Sequence, residues 1–378
     1  MILGSFYGPE YFDFIADPAI REPLKQIAQE VNEDLDYFAQ VMREHGAQVL
    51  RPPLIGVDDF ETHFLQHGSF PTPPLQPRNY HTVVGDRIYQ LEHASEADLI
   101  NAILPEPATD LARANHEFFQ AQCEVSQHCY NADTRTWYSR KKYLELAGPD
   151  WPSFESYVQG HRGSVPSIQA ELETFSNTLA YEAKEWGPIQ APNIFPVDDR
   201  LYVDAPEYFD YVSWAQKHIE FDRTVIQINT GAGHTDGCFV VLGQKVIIGV
   251  VPGIDFEQAF PGYRVVASSA SYADAVQRRL TQGGYFNRSW WISGQEHNQT
   301  LINYVDRYMQ DWTGTAYETS FDLNVLALDD QTVCMIVGDP EIVKQLNAFG
   351  IRVIEVPWRH RFFVDCGLHC LTLDLDRE

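Results

Sequence analysis

Four segments of the chain share one pattern: an apolar run, a polar turn and a second apolar run. They cover residues 82–91, 194–203, 239–248 and 325–336, and turn on Gly85-Asp86, Asp198-Asp199, Gly243-Gln244 and Asp329-Asp330. Turn-forming pairs between β-branched and aromatic residues predict β-hairpins. A glycine followed by an apolar run also recurs, at Gly46-Ala47-Gln48-Val49-Leu50, Gly262-Tyr263-Arg264-Val265-Val266 and Gly350-Ile351-Arg352-Val353-Ile354. There the glycine fits a helix C-cap and the run a strand. Before the last of these, Asp339 fits an N-cap and Pro340 the first helical position, while Ile342, Leu346 and Phe349 share a face. The unit is therefore hairpin, helix, strand. Repeats of this size suggest a radial or stacked assembly, and strands alternating with helices place the chain in the α/β class.

Two stretches break the rhythm. Residues 92–185 read as a largely helical insertion, and residues 283–315 carry aromatics and a helix around 296–310. Near the start, Leu24, Ile27, Val31, Leu35, Phe38 and Met42 form an amphipathic stripe whose plain meaning is core packing.

Charge limits the partners. Lys and Arg number 27 against 53 Asp and Glu, a net charge of −26. Such a surface repels nucleic acid and anionic membranes, so neither is expected as a partner. No apolar run approaches the roughly 20 residues of a membrane span, and the first residues lack the pattern of a signal peptide. Six cysteines are sparse for 378 residues, and no paired Cys-x-x-Cys motifs mark a zinc site. A reducing, cytoplasmic setting is expected.

Chemistry concentrates at two places. His234 and Asp236 sit in a glycine-rich loop before a strong apolar strand, and on an extended stretch they would face the same side. A His beside a carboxylate can do acid–base work; a surface turn with a bonded His fits the same residues. The second place is Cys366-Gly367-Leu368-His369-Cys370-Leu371-Thr372. One Cys-x-x-His-Cys without a distant second pair is a poor zinc site. Cys370 at the head of an alternating strand could be a nucleophile or a buried core thiol.

The run from Phe321 to Arg377 resembles the C-terminal part of the glycine and inosamine-phosphate amidinotransferases, through Asn324-Val325-Leu326 and Gly367-Leu368-His369-Cys370-Leu371-Thr372. His234-Thr235-Asp236 resembles that family's His-x-Asp motif, and Pro77-Arg78-Asn79 its Arg-Asp strand. The resemblance implies a single catalytic domain over residues 1–378, a five-bladed α/β propeller with the insertion at 92–185. It implies Cys370 as nucleophile, His234 as acid and base, and Asp236 as the grip on a guanidinium. Asn79, Gln190, Asp322 and Asn324 would be substrate-binding. The implied reaction moves an amidino group from arginine or a related guanidino donor to an amine acceptor through S-amidino-Cys370. No cofactor and no metal is needed, and a homodimer is the assembly suggested.

The chain departs from the family at Asn79 and at Gln190, where the family has carboxylates, and at Asp322, often Ser in relatives. Two amides for two carboxylates point to a less cationic substrate or to altered activity. Two alternatives therefore stand: a guanidine-hydrolysing enzyme of the same superfamily, and a binding protein on this scaffold.

Overall fold

The computed structural model describes residues 1–126, 129–131, 136–138, 188–205, 209–230, 234–249, 256–267, 294, 295, 297–309, 311–313, 323–336 and 340–375. The predicted unit is present in it repeatedly. Strand β1 (Ile2–Leu3) is followed by a first hairpin of β2 (His81–Val84) and β3 (Arg87–Gln90), with β4 (Thr109–Asp110) parallel to β3. A separate short hairpin joins β5 (Cys129–Asn131) to β6 (Thr136–Tyr138). The next unit is β7 (Ile194–Val197), β8 (Arg200–Asp204) and β9 (Thr224–Ile228). It is followed by β10 (Phe239–Leu242), β11 (Val246–Gly249) and β12 (Arg264–Ala267). The last complete unit is β13 (Leu326–Asp329), β14 (Thr332–Ile336) and β15 (Arg352–Val356). In each of these four sheets an antiparallel hairpin accepts a parallel third strand.

A fifth sheet has the same order but is assembled from distant segments. β16 (Thr372–Leu373) pairs antiparallel with β1, and Leu50 bridges β1 in parallel. Leu3 N donates to Leu50 O and Leu50 N donates to Met1 O, at 2.9 and 3.0 Å. The chain is thus a mixed α/β fold of several small sheets.

Local chemistry explains most of the unit. Asp198, Gln244 and Lys245 take positive φ in the hairpin turns, where such dihedrals match strand twist. Gly350 closes the helix Pro340–Ala348 at φ 79°, and Ile351 N returns to Leu346 O at 3.0 Å. Only a residue without Cβ adopts that conformation freely, which is why glycine marks the entry to the parallel strand.

Two third strands escaped the sequence reading. β4 is two exposed residues long, with no apolar signal. β9 follows a helix, Tyr211–His218, that ends on extended Ile219 instead of a glycine. The long helix Pro18–Glu44 starts on Asp17, whose carboxylate accepts from Ala19 N at 2.9 Å. Its predicted stripe from Leu24 to Met42 is wholly buried, each such side chain contributing about 1.5–3 kcal/mol. Against it pack Tyr7, Phe12, Phe60, Phe70 and Trp312 in one aromatic cluster.

The helix expected around 296–310 runs Gln299–Tyr308, with Asn298 accepting from Leu301 N at 3.1 Å. Asp322, Asp339, Glu296 and Gln310 lie outside the described residues, as do 139–187 of the expected insertion and 283–293. Among the described residues no helix is long and apolar enough to cross a membrane.

Candidate active site

Cys370 lies in the turn just before β16 and is buried. Cys238, Cys334 and Cys366 are also buried and in no disulfide. What sets Cys370 apart is its company. Its Sγ–H points to Asp236 Oδ2 at 3.3 Å, and Asn324 Nδ2 donates to Sγ at 3.2 Å.

Asn324 organises this centre. It is fully buried at the head of β13. Its Oδ1 accepts from His369 N at 2.8 Å and Cys370 N at 3.1 Å, and its Nδ2 also donates to Asp236 O at 3.0 Å. One amide therefore ties the cysteine turn to the His234–Asp236 turn. Gly367 allows the approach: a Cβ there would lie 2.4 Å from Asn324 Cβ.

The His-x-Asp segment is not extended, as the sequence suggested. Thr235–Gly237 forms a 3-10 turn, with Gly237 N bonded to His234 O at 3.1 Å. The turn is held from below. Asn193 Oδ1 accepts from Thr235 N at 3.0 Å, and Thr235 Oγ1 donates to Asp204 Oδ2 at 2.7 Å. Side-chain anchors of this kind compete with strand pairing and win where backbone N–H groups would otherwise be buried unpaired. Neither Asn193 nor Asp204 was singled out from the sequence. Their signal, a polar residue inside an otherwise apolar β-unit, is visible in Ala191-Pro192-Asn193-Ile194 and Tyr202-Val203-Asp204.

His369 is the second addition. Its Nδ1 lies 2.8 Å from Asp236 Oδ2. An ionised carboxylate only accepts, so Nδ1 carries the proton. Burial, then Arg78, push the His369 imidazolium below its ordinary pKa, against the pull of Asp236. Burial would raise the Asp236 carboxyl, but the hydrogen bond from His369, with Arg78 nearby, holds it well below the carboxylate range. Burial and the Asp236 charge raise the Cys370 thiol well above its ordinary value, opposed only by Asn324. The resting centre is thus a neutral thiol, a carboxylate and a neutral imidazole. Asp236 Oδ2 receives both His369 and Cys370, while Oδ1 is buried with no hydrogen-bond partner.

His234 is buried beside this group, within electrostatic reach of Asp236. Asn79 is half-buried; its Nδ2 donates to Gln76 Oε1 at 2.9 Å and its Oδ1 is buried without a partner. Gln190 is exposed and caps the short turn Ala191–Asn193, where Asn193 N bonds its carbonyl at 3.0 Å. No described hydrogen bond joins the Gln190 side chain to His234. Arg78 secures the cysteine segment: Nε donates to His369 O and Thr372 O at 3.2 and 3.1 Å, and Nη2 to Asp374 Oδ2 at 3.2 Å. A cavity of about 360 Å³ adjoins the group, lined by Arg78, Asp236, His369 and Asp374 together with residues of β2, β7, β10 and β16.

No family model matches the chain, and no curated protein matches it in sequence. Solved structures do match in fold. One is SxtG, an amidinotransferase of Microseira wollei in the saxitoxin biosynthetic pathway, with 16% identity and a TM-score of 0.50 over 100% of this chain and 93% of that one. Another is the inosamine-phosphate amidinotransferase StrB1 of Streptomyces griseus, with 14% identity and a TM-score of 0.50 over 100% of this chain and 93% of that one. The likeness is one of fold: over its whole length the chain is similar to these two amidinotransferase structures.

Proposed function

We propose that the chain is an amidinotransferase that carries an amidino group from arginine or a related guanidino donor to an amine acceptor, on Cys370. The observation that carries this is the convergence on the Cys370 thiol of the Asp236 carboxylate, at 3.3 Å, and the Asn324 amide, at 3.2 Å, with His234 beside them. The five sheets of one order, four of them lining one cavity, support a closed five-bladed propeller, with residues 1–378 as a single catalytic domain carrying an insertion around 92–185.

A guanidinium is planar and cationic, and it donates in-plane hydrogen bonds that a carboxylate accepts in pairs. The unpartnered Oδ1 of Asp236 is the free acceptor for such a cation. A cation docked there offsets the charge that holds the thiol protonated, so substrate arrival itself would favour the thiolate. Sγ then bonds to the guanidinium carbon, and the bond to the substituted nitrogen breaks. The proton lost from sulfur reaches the departing amine through His234. An acceptor amine reverses these steps on S-amidino-Cys370, with His234 now taking the proton. Asn324 keeps sulfur and carboxylate in register throughout. His234, Asp236 and Cys370 are all less than a tenth exposed, and exclusion of water favours transfer over hydrolysis.

The test is incubation with arginine, with and without a panel of primary amines. Ornithine and citrulline are followed by mass spectrometry, and the intact protein is weighed beside Cys370→Ala. Ornithine that depends on added amine, with an adduct missing from the variant, is the expected result. Citrulline would identify a hydrolase. Neither product and no adduct with any guanidine would leave a binding protein.

A further inference from the structure

One oxygen of the centre is shared. Asp236 Oδ2 receives the Cys370 thiol at 3.3 Å and His369 Nδ1 at 2.8 Å. Amidino transfer gives work to the thiol and the carboxylate but none to this imidazole. Yet the backbone of His369 is tied down at both ends. Its N–H donates to Asn324 Oδ1 at 2.8 Å and to Asn324 O at 3.2 Å. Its carbonyl accepts from Thr372 N and Thr372 Oγ1, both at 3.0 Å, and from Arg78 Nε at 3.2 Å.

The ring is placed to exchange a proton. Nδ1–H is committed to Asp236, so Nε2 carries the lone pair. The side chain is 17% exposed and lines the cavity, which neither Cys370 nor His234 lines. Solvent entering there meets the imidazole and the carboxylate, not the sulfur. Charge follows from this arrangement. With a neutral imidazole, the Asp236–His369 pair sets one negative charge against the sulfur. With a proton on Nε2 the pair is neutral, and the opposition to a thiolate is largely cancelled. The surroundings of the ring pull both ways: burial and Arg78 oppose the imidazolium, and Asp236 and Asp374 favour it.

We propose that His369 is a positioning residue that governs the ionisation of Cys370 through Asp236, by taking up the thiol proton. The S–H bond of Cys370 breaks, an N–H bond forms at His369 Nε2 by way of cavity solvent, and the net charge of the centre is unchanged. The product is a thiolate and an imidazolium on one carboxylate oxygen, a minor form beside the neutral resting centre, with Asn324 Nδ2 still donating to sulfur. It describes the free protein; during the reaction the proton still reaches the departing amine through His234. The inference rests on Cys370 as the reactive thiol, and holds whether the amidino group passes to an amine or to water.

Alkylation of Cys370 by iodoacetamide, followed by peptide mass spectrometry on the intact protein between about pH 5 and about pH 9, tests this. Moving a proton between two groups leaves the proton count unchanged, so the share of the thiolate–imidazolium form does not vary with pH. The wild-type rate should therefore run flat above the titration of His369, then rise as the thiol itself ionises. His369→Gln and His369→Asn offer Asp236 an N–H but cannot titrate, and thermal melts establish which of them folds. There the flat region should vanish and the rate should climb about tenfold per pH unit, leaving it about tenfold or more below wild type at the acid end. In the wild type, the acid edge of the flat region should coincide with the midpoint of the His369 ring, read by NMR of histidine-labelled protein. A wild-type rate with full slope at every pH overturns the proposal. So does a flat region that survives in a folded variant, or an edge displaced from the His369 midpoint. A flat region that depends on His369, without any amidino adduct from guanidines, would sink the transferase reading and leave this role of His369 standing.

Discussion

Replacing Asn324 by alanine tests whether one amide holds the centre together. The variant removes the acceptor of Cys370 N–H, at 3.1 Å, and the donor to Asp236 C=O, at 3.0 Å. Neither backbone group has another described hydrogen-bond partner. His369 N–H retains the Asn324 backbone carbonyl at 3.2 Å and is spared. Two buried groups orphaned at about 1–3 kcal/mol each give a loss of about 2–6 kcal/mol. Urea denaturation followed by tryptophan fluorescence measures it, with the slope against denaturant checked for constancy. The thiol should lose its fixed position too, so Cys370 labelling by a small alkylating reagent should change relative to the wild type. A destabilisation below about 0.5 kcal/mol, the range of ordinary surface substitutions, would refute the assignment of Asn324 as the tie between the two turns.

Other perturbations follow from the same geometry. Asp236→Asn removes the charge that raises the Cys370 thiol; iodoacetamide should then label Cys370 faster at neutral pH, with Cys370→Ala as background, and an unchanged or slower rate would contradict the resting state described above. The pKa of His369 is depressed in the folded protein, so its contribution to stability is complete above its unfolded value of about 6.5 and is lost as pH falls toward the folded one; His369→Gln should flatten the stability–pH curve below that point, measured as denaturation midpoints. Gly367→Ala brings a Cβ within 2.4 Å of Asn324 Cβ; it should lower stability by about 1–3 kcal/mol and abolish adduct formation, and a fully active, equally stable variant would show that the contact is not constrained.

The hairpins were legible because turn chemistry and β-propensity are local: Gly85, Asp198 and Gln244 signal their turns without reference to the rest of the chain. The parallel strand after Gly350 was legible for the same reason. β4 was not, because two exposed residues join a sheet edge by backbone pairing alone. The site was legible as a set of chemically suited residues, but the way they interlock was not. Nothing near Asn324 in sequence says that its side chain reaches both Asp236 and Cys370, since those bonds span 88 and 46 residues. Gln190 shows the converse limit. The resemblance implies that it binds substrate, yet the neighbouring Ala191–Asn193 turn leaves it exposed, and it is Asn193 that reaches inward to Thr235 N.

The sheet shared by β1, β16 and Leu50 imposes a timetable. Residues 2 and 3 must wait for residues 372 and 373 before their ladder can form, and closing so long a loop is slow compared with forming the local hairpins. Cys370 lies two residues before that closing strand. Its carboxylate and amide partners therefore exist, folded into their own hairpin units, before the sulfur is delivered to them. A growing or partly unfolded chain would not yet hold Cys370 against Asp236 and Asn324, and that grouping would appear only once β1 and β16 had paired.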